Sequence, residues 1–170
     1  MKFETENDLS LNFKKFISTN LDYKNIEILE QFKGLYGIPD FLLVEKGLNS
    51  ISTVISIELK LNNWKQALKQ AFKYRSFSNY CYIVLDETFL NRAVKKIDQF
   101  IHFNIGLASF NKNNELKIYF TPKNTEPFSK FLFNKIPKFL NINPINKYEP
   151  QYSQIQEILA LFTRKEPKLD

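Results

Sequence analysis

Residues Tyr80-Cys-Tyr-Ile-Val-Leu85 run with almost no polar interruption. A strand with one face in water alternates apolar and polar side chains, whereas a near-continuous apolar run belongs to a strand covered on both faces. This run constrains the fold, because it needs packed layers above and below it. The flanking text supplies candidates. Trp64 to about Phe77 reads as a helix with Leu68, Ala71 and Phe72 towards the core, and Asn62 or Asn63 can cap it. Thr88 to about Phe103 reads as another helix, with Leu90, Val94, Ile97 and Ile101 aligned. A strand, a helical crossover and a second strand predict parallel pairing, so the expected class is α/β with a mixed central sheet flanked by helices.

Upstream, Thr5-Glu-Asn-Asp8 offers capping chemistry before Leu9, Phe13, Phe16 and Ile17, which share a helical face. Asn25–Phe32 is strand-like, Gly34 and Gly37 bracket a turn, and Ile38–Glu45 and Ile51–Leu59 form a hairpin about Gly47-Leu-Asn-Ser50. Downstream, Leu107–Phe110 and Leu116–Phe120 read as strands joined by Asn111-Lys-Asn-Asn114. The predicted order is α-β-β-β-α-β-α. After Pro122 the text becomes rich in Phe, Asn and Pro, with Pro127, Pro137, Pro144 and Pro150 before a helix expected from about Gln151 to Phe162. The chain is thus expected to form a core over 1–122 and a C-terminal helical extension, 123–170, packed on the same domain.

Three charged residues sit on the hairpin. If it turns about Asn49, Asp40 and Glu58 lie opposite each other, and cross-strand partners project to one face. Lys60, two residues beyond Glu58, shares that face by alternation, while Ile55, Ile57 and Leu59 take the other. Two carboxylates held this close repel, and a divalent cation removes the conflict. Mg²⁺ takes oxygen ligands, commonly one or two carboxylates with waters and phosphate oxygens. It can polarise a phosphoryl oxygen and activate water. The Lys60 ammonium can orient that water or stabilise developing charge. The Leu59 carbonyl is a further candidate ligand. Taken alone, such a triplet is common on solvated surfaces.

Gly37-Ile-Pro-Asp40, an 18-residue step, and Ile57-Glu-Leu-Lys60 together resemble the signature of the PD-(D/E)XK nuclease superfamily, the restriction-endonuclease-like fold. Gln70-Ala-Phe-Lys-Tyr74 resembles the Q-x-x-x-Y element of its RecB-like branch, and i,i+4 spacing puts both polar residues on one helical face, which Gln66 extends. The resemblance covers roughly residues 5–110. It implies an αβββαβ core, metal held by Asp40 and Glu58, a catalytic Lys60, and Gln70 and Tyr74 supporting the site or the substrate strand. Some members carry an acidic residue on the first helix. Glu6 is the best-placed candidate, with Glu4 and Asp8 close behind, and Glu30 could also approach the metal. The implied activity is a Mg²⁺-dependent nuclease (Mn²⁺ possible) acting on DNA, an endonuclease of restriction, mobile-element or repair type. The alternatives are an RNase and a catalytically silent nucleic-acid-binding or assembly module of the same fold. Homodimerisation, or membership of a larger nucleic-acid complex, would suit cleavage of two strands.

The net charge of +6, from 24 basic and 18 acidic residues, suits a polyanionic partner. Lys65, Lys69, Lys73 and Arg75 cluster on the crossover helix, and Lys130, Lys135 and Lys138 are interleaved with phenylalanines. Trp64 and Tyr74 could stack on bases, although core packing is the commoner fate of such residues. The one cysteine, Cys81, excludes a disulfide framework and reads as a buried strand residue. The one histidine, His102, lacks partners for a zinc site and reads as structural or surface-exposed. There is no glycine-rich phosphate loop. The polar Met1–Ser10 is unlike a signal peptide and no apolar run approaches a bilayer's thickness, so a cytoplasmic location is expected.

Overall fold

The computed structural model describes residues 1–20, 25–47 and 51–140. Among these a six-stranded mixed sheet runs in simple sequence order: β1 (Ile26–Glu30), β2 (Phe41–Lys46), β3 (Ile51–Lys60), β4 (Tyr80–Asp86), β5 (Gly106–Phe110) and β6 (Leu116–Phe120). The first three strands pair antiparallel, β3–β4 and β4–β5 pair parallel, and β6 returns antiparallel. The expected α/β class and mixed, helix-flanked sheet are what the chain forms. The turn at 48–50 and the helix expected over 151–162 lie outside the described residues.

Strand alternation divides the core into two layers. Ile55, Ile57 and Leu59 of β3 join Phe41 and Leu43 beneath α1 (Glu6–Asn20), whose Leu9, Phe13 and Ile17 are buried against them. On the other face, Leu42, Val44 and Val54 meet α2 (Trp64–Tyr74) through Trp64, Ala67, Leu68, Ala71 and Tyr74. β4 is buried along nearly its whole length, as its sequence requires. Cys81 is fully buried there, and burial pushes its thiol pKa well up, so it is an inert core group.

Two helical expectations change. Phe72 is not a core residue: the buried stripe of α2 runs through Ala71 and Tyr74 and leaves the Phe72 ring 43% exposed. The long helix expected from Thr88 to Phe103 is broken into a 3-10 turn at Glu87–Phe89, α3 (Asn91–Val94) and α4 (Ile97–Phe103). The break falls at Lys96, whose φ of −125° is non-helical, and the new phase exposes Ile101. Beyond β6, α5 (Lys130–Phe133) and α6 (Ile136–Phe139) pack on the α2 side of the sheet. There Ile136 is buried, and Phe139 meets the Phe32 ring edge-on at 5.4 Å.

Candidate active site

The hairpin register sets the site. Phe41 pairs with Ile57 and Leu42 with Ser56, so Asp40, immediately before β2, stands opposite Glu58 as the sequence predicts. Asp40 Oδ2 accepts the Leu59 backbone N–H at 2.7 Å, which locks the carboxylate against the end of β3. A strand residue directs its N–H and C=O towards the same neighbour, so the Leu59 carbonyl faces the Asp40 side too. Alternation puts Glu58 and Lys60 on the α2 face, and Lys60 Nζ lies 3.0 Å from Glu58 Oε1. This face is not a solvated surface: the Glu58 side chain is only 2% exposed and that of Lys60 12%.

Helix α2 closes the site. Asn63 is its cap, accepting the Gln66 N–H while its own amide donates to Gln66 Oε1 at 3.0 Å. Gln66 is therefore engaged in capping, not extending the site stripe. One helix length on, the Tyr74 hydroxyl reaches Glu58 Oε2 at 2.7 Å and the Ile38 carbonyl at 2.9 Å. Its ring crosses directly over Gly37, where an added Cβ would lie 2.7 Å from Tyr74 Cε1. Gly37 also has a φ of +95°, so this glycine serves both the loop conformation and the passage of the tyrosine. Gln70 lies one turn before Tyr74, and its Oε1 is buried without a hydrogen-bond partner.

Glu6, at the start of α1, contacts Lys60 Nζ at 3.3 Å and raises the pKa of Asp40 by its charge, so it belongs to the same charge cluster. Asp8 instead accepts the Glu4 N–H and pairs with Lys112 at 3.3 Å, away from the cluster. Glu30 is also excluded. It pairs in the sheet with Phe41, which points to the α1 side, and it bonds Lys14 of α1 at 2.6 Å. The neighbouring Gln31, not singled out from sequence, takes the position instead: its Nε2 donates to Asp40 Oδ1 at 2.5 Å. His102 lies on the surface against the Phe103 ring.

The electrostatics follow from burial. Desolvation, and then the charge of Asp40, push Glu58 from 4.5 up to about 7, against the pull of Tyr74 and Lys60. Desolvation also raises Asp40, opposed by the Leu59 N–H, Lys60 and Gln31. Burial disfavours the Lys60 ammonium, but Glu58, Glu6 and Asp40 together outweigh it and hold its pKa above the usual lysine value. The acidic neighbours thus hold Lys60 in its charged form. Burial and the adjacent Glu58 raise the Tyr74 phenol, so it stays protonated.

Three carboxylates around one ammonium leave a net negative centre. Among the described residues no three or more His, Cys, Asp or Glu side chains are grouped so that they could by themselves hold a metal ion. Two carboxylates and a carbonyl are nonetheless hard oxygen donors of the kind Mg²⁺ takes when water and substrate complete its shell. The residues present fit the ion.

No family model matches the chain, and no curated protein matches it. Among solved structures, it is similar to the SPO1766 protein of unknown function from Silicibacter pomeroyi. The two share 14% identity over 75% of this chain and 83% of that one, with a TM-score of 0.49. Among the described residues no helix is long and apolar enough to cross a membrane.

Proposed function

We propose that the protein is a metal-dependent nuclease of the restriction-endonuclease-like fold, hydrolysing phosphodiester bonds in DNA. The observation that carries the reading is Asp40, half-buried, opposed across the β2–β3 hairpin to the buried Glu58, with the Lys60 ammonium 3.0 Å from Glu58. Holding two carboxylates close with one of them buried is costly, and perturbed carboxylates of this kind cluster at functional sites. The αβββαβ order, and the reach of Tyr74 from the crossover helix to Glu58, support the same reading.

Asp40, Glu58 and the Leu59 carbonyl would hold Mg²⁺ or Mn²⁺, with Glu6 at the edge of the cluster. The ion would supply Lewis acidity towards a phosphoryl oxygen. Lys60, permanently charged, stabilises the negative charge that accumulates on phosphorus-bound oxygens as the nucleophile adds. Gln31 and the Leu59 N–H hold the Asp40 carboxylate in place. Tyr74 fixes the Glu58 rotamer and ties it to the Ile38 loop.

The test is cleavage of plasmid, linear duplex, single-stranded DNA and RNA with Mg²⁺, Mn²⁺ or EDTA, with Asp40→Ala and Lys60→Ala in parallel. Cleavage that needs the metal and is abolished by both substitutions supports the reading. Cleavage indifferent to both would refute the site, and no cleavage of any substrate would refute the activity.

A further inference from the structure

Helix α2 carries Lys65, Lys69 and Lys73 at four-residue intervals and no acidic residue. Residues so spaced form one exposed ladder, with steps of about 6 Å along the axis. Like charges at this spacing repel, and a protein-internal remedy is absent: among the described residues none of the three is in an ion pair. Each end of the ladder instead meets an aromatic ring. Lys73 lies 5.7 Å from the centre of the Tyr36 ring, which is 57% exposed on the loop leading to Asp40. Lys65 lies 5.7 Å from the centre of the Trp64 ring.

Beside Lys65 and Lys69, between α2 and α4, is a cavity of about 290 Å³ walled by Trp64, Leu68, Phe72 and Phe103, with Gln99 as its polar edge. No carboxylate lines it. The helical phase places this cavity on the flank of α2 opposite Gln70 and Tyr74, so the two sites are separated by the lysine-bearing face. Flat aromatic walls suit the face of an unstacked base, and an amide that both donates and accepts suits its edge. The lysine rim suits phosphates, and the same rim without acids disfavours a cationic occupant.

We propose that the outer face of α2 is a track for one strand of nucleic acid. Its phosphates lie along Lys65, Lys69 and Lys73, and an unpaired base sits in the Trp64–Phe72–Phe103 cavity while the strand continues past Tyr36 to the acidic centre. This deepens the nuclease reading, on which the nature of the ligand rests, and specifies its substrate as single-stranded DNA or a frayed end. A base stacked within a duplex has no face free to enter the cavity.

Trp64 is the sole tryptophan of the chain, so its fluorescence reports the cavity directly. The experiment is a titration of the whole protein, in EDTA, with a short oligodeoxyadenylate and with a duplex of equal length. The track predicts saturable quenching of Trp64 and single-strand binding at least tenfold tighter than duplex binding. Phe72→Ala is expected to weaken single-strand binding about tenfold, the loss of one stacking contact. Lys65→Ala/Lys69→Ala is expected to weaken it further and to lower the slope of log K against log salt by about 1.4. The lysines are exposed, so this variant keeps the fold, checked by its urea midpoint. Absence of quenching, equal affinity for duplex, or unchanged binding by the lysine variant overturns the track. So does quenching by dodecanoate but not by the oligonucleotide, or self-association abolished by Phe72→Ala, each of which assigns the cavity another occupant. Because the titration contains no metal, binding without later hydrolysis would sink only the catalytic reading, and hydrolysis without this binding only the track.

Discussion

The Tyr74 hydroxyl lies 2.7 Å from Glu58 Oε2 and 2.9 Å from the Ile38 carbonyl, yet a phenol has one proton to donate. Both contacts are hydrogen bonds when Glu58 is protonated, since Glu58 then donates to Tyr74 and Tyr74 to Ile38. When Glu58 ionises, the phenol turns to it and Ile38 loses its donor. With Glu58 pushed up to about 7, the metal-free site sits between these two arrangements near neutral pH.

Stability should therefore fall as pH rises. Between 4.5, the value in the unfolded chain, and about 7, the native protein binds the extra proton, so the slope of unfolding free energy against pH is negative there. The full shift corresponds to roughly 3 kcal/mol of native stability lost on passing from pH 4 to pH 8. Asp40 adds a contribution of the same sign. Urea unfolding in EDTA at several pH values measures the slope, and Glu58→Gln should remove most of it. Adding Mg²⁺ should restore stability chiefly at the alkaline end, because the bound ion competes with that proton.

Tyr74→Phe should move the same titration upward. The phenol favours the charged carboxylate; without it, Glu58 holds its proton to higher pH. The acid limb of the cleavage profile is expected to shift to higher pH, with about 1–2 kcal/mol of stability lost with the buried hydrogen bond. A profile unchanged in position, with only its height reduced, would show that the phenol does not act through Glu58.

Strand alternation explains what was legible in the sequence. The pairing of Asp40 with Glu58 followed from a hairpin whose register is fixed by the Ile55-x-Ile57-x-Leu59 pattern, because a one-residue slip would bury the charges under α1. β1 carries no such pattern: Ile28 and Leu29 are adjacent apolar residues, so its phase is ambiguous. Glu30 drew attention as a carboxylate just before the Gly34 turn, and that ambiguity left open which face it takes. The Thr88–Phe103 helix misled for a related reason, as apolar residues at helical spacing say nothing about a break at Lys96. Burial of Glu58 under Tyr74 was beyond reach, since it depends on how α2 crosses the sheet and on the bare Gly37 backbone beneath the ring.

Gly37→Ala should separate those dependencies. The substitution places a methyl 2.7 Å from Tyr74 Cε1 and imposes strain at a φ of +95°, for an expected loss of about 1–3 kcal/mol. Combined with Tyr74→Ala, only the φ strain remains, so the pair should be less than additive in unfolding experiments. Full additivity would show that the ring and the glycine do not constrain each other.

Gln31 and Glu30 offer the sharpest contrast, being neighbours on opposite faces of one strand end. Gln31 Nε2 holds Asp40 Oδ1, and the Gln31 N–H bonds the Asp40 carbonyl at 3.1 Å, so the amide side chain orients the residue proposed to bind metal. Removing such a supporting group typically weakens metal affinity or activity by about 10–100-fold. Gln31→Ala should show a loss of that order, expressed in the Mg²⁺ concentration needed for half-maximal cleavage. Gln31→Glu should be no better, since it replaces the donor with a further carboxylate facing Asp40. Glu30→Ala should leave cleavage intact and cost at most about 1 kcal/mol, because its partner Lys14 is a half-exposed ion pair on the α1 side. Comparable catalytic losses for Glu30→Ala and Gln31→Ala would mean that the β1 register, and with it the orientation of Asp40, is not as described.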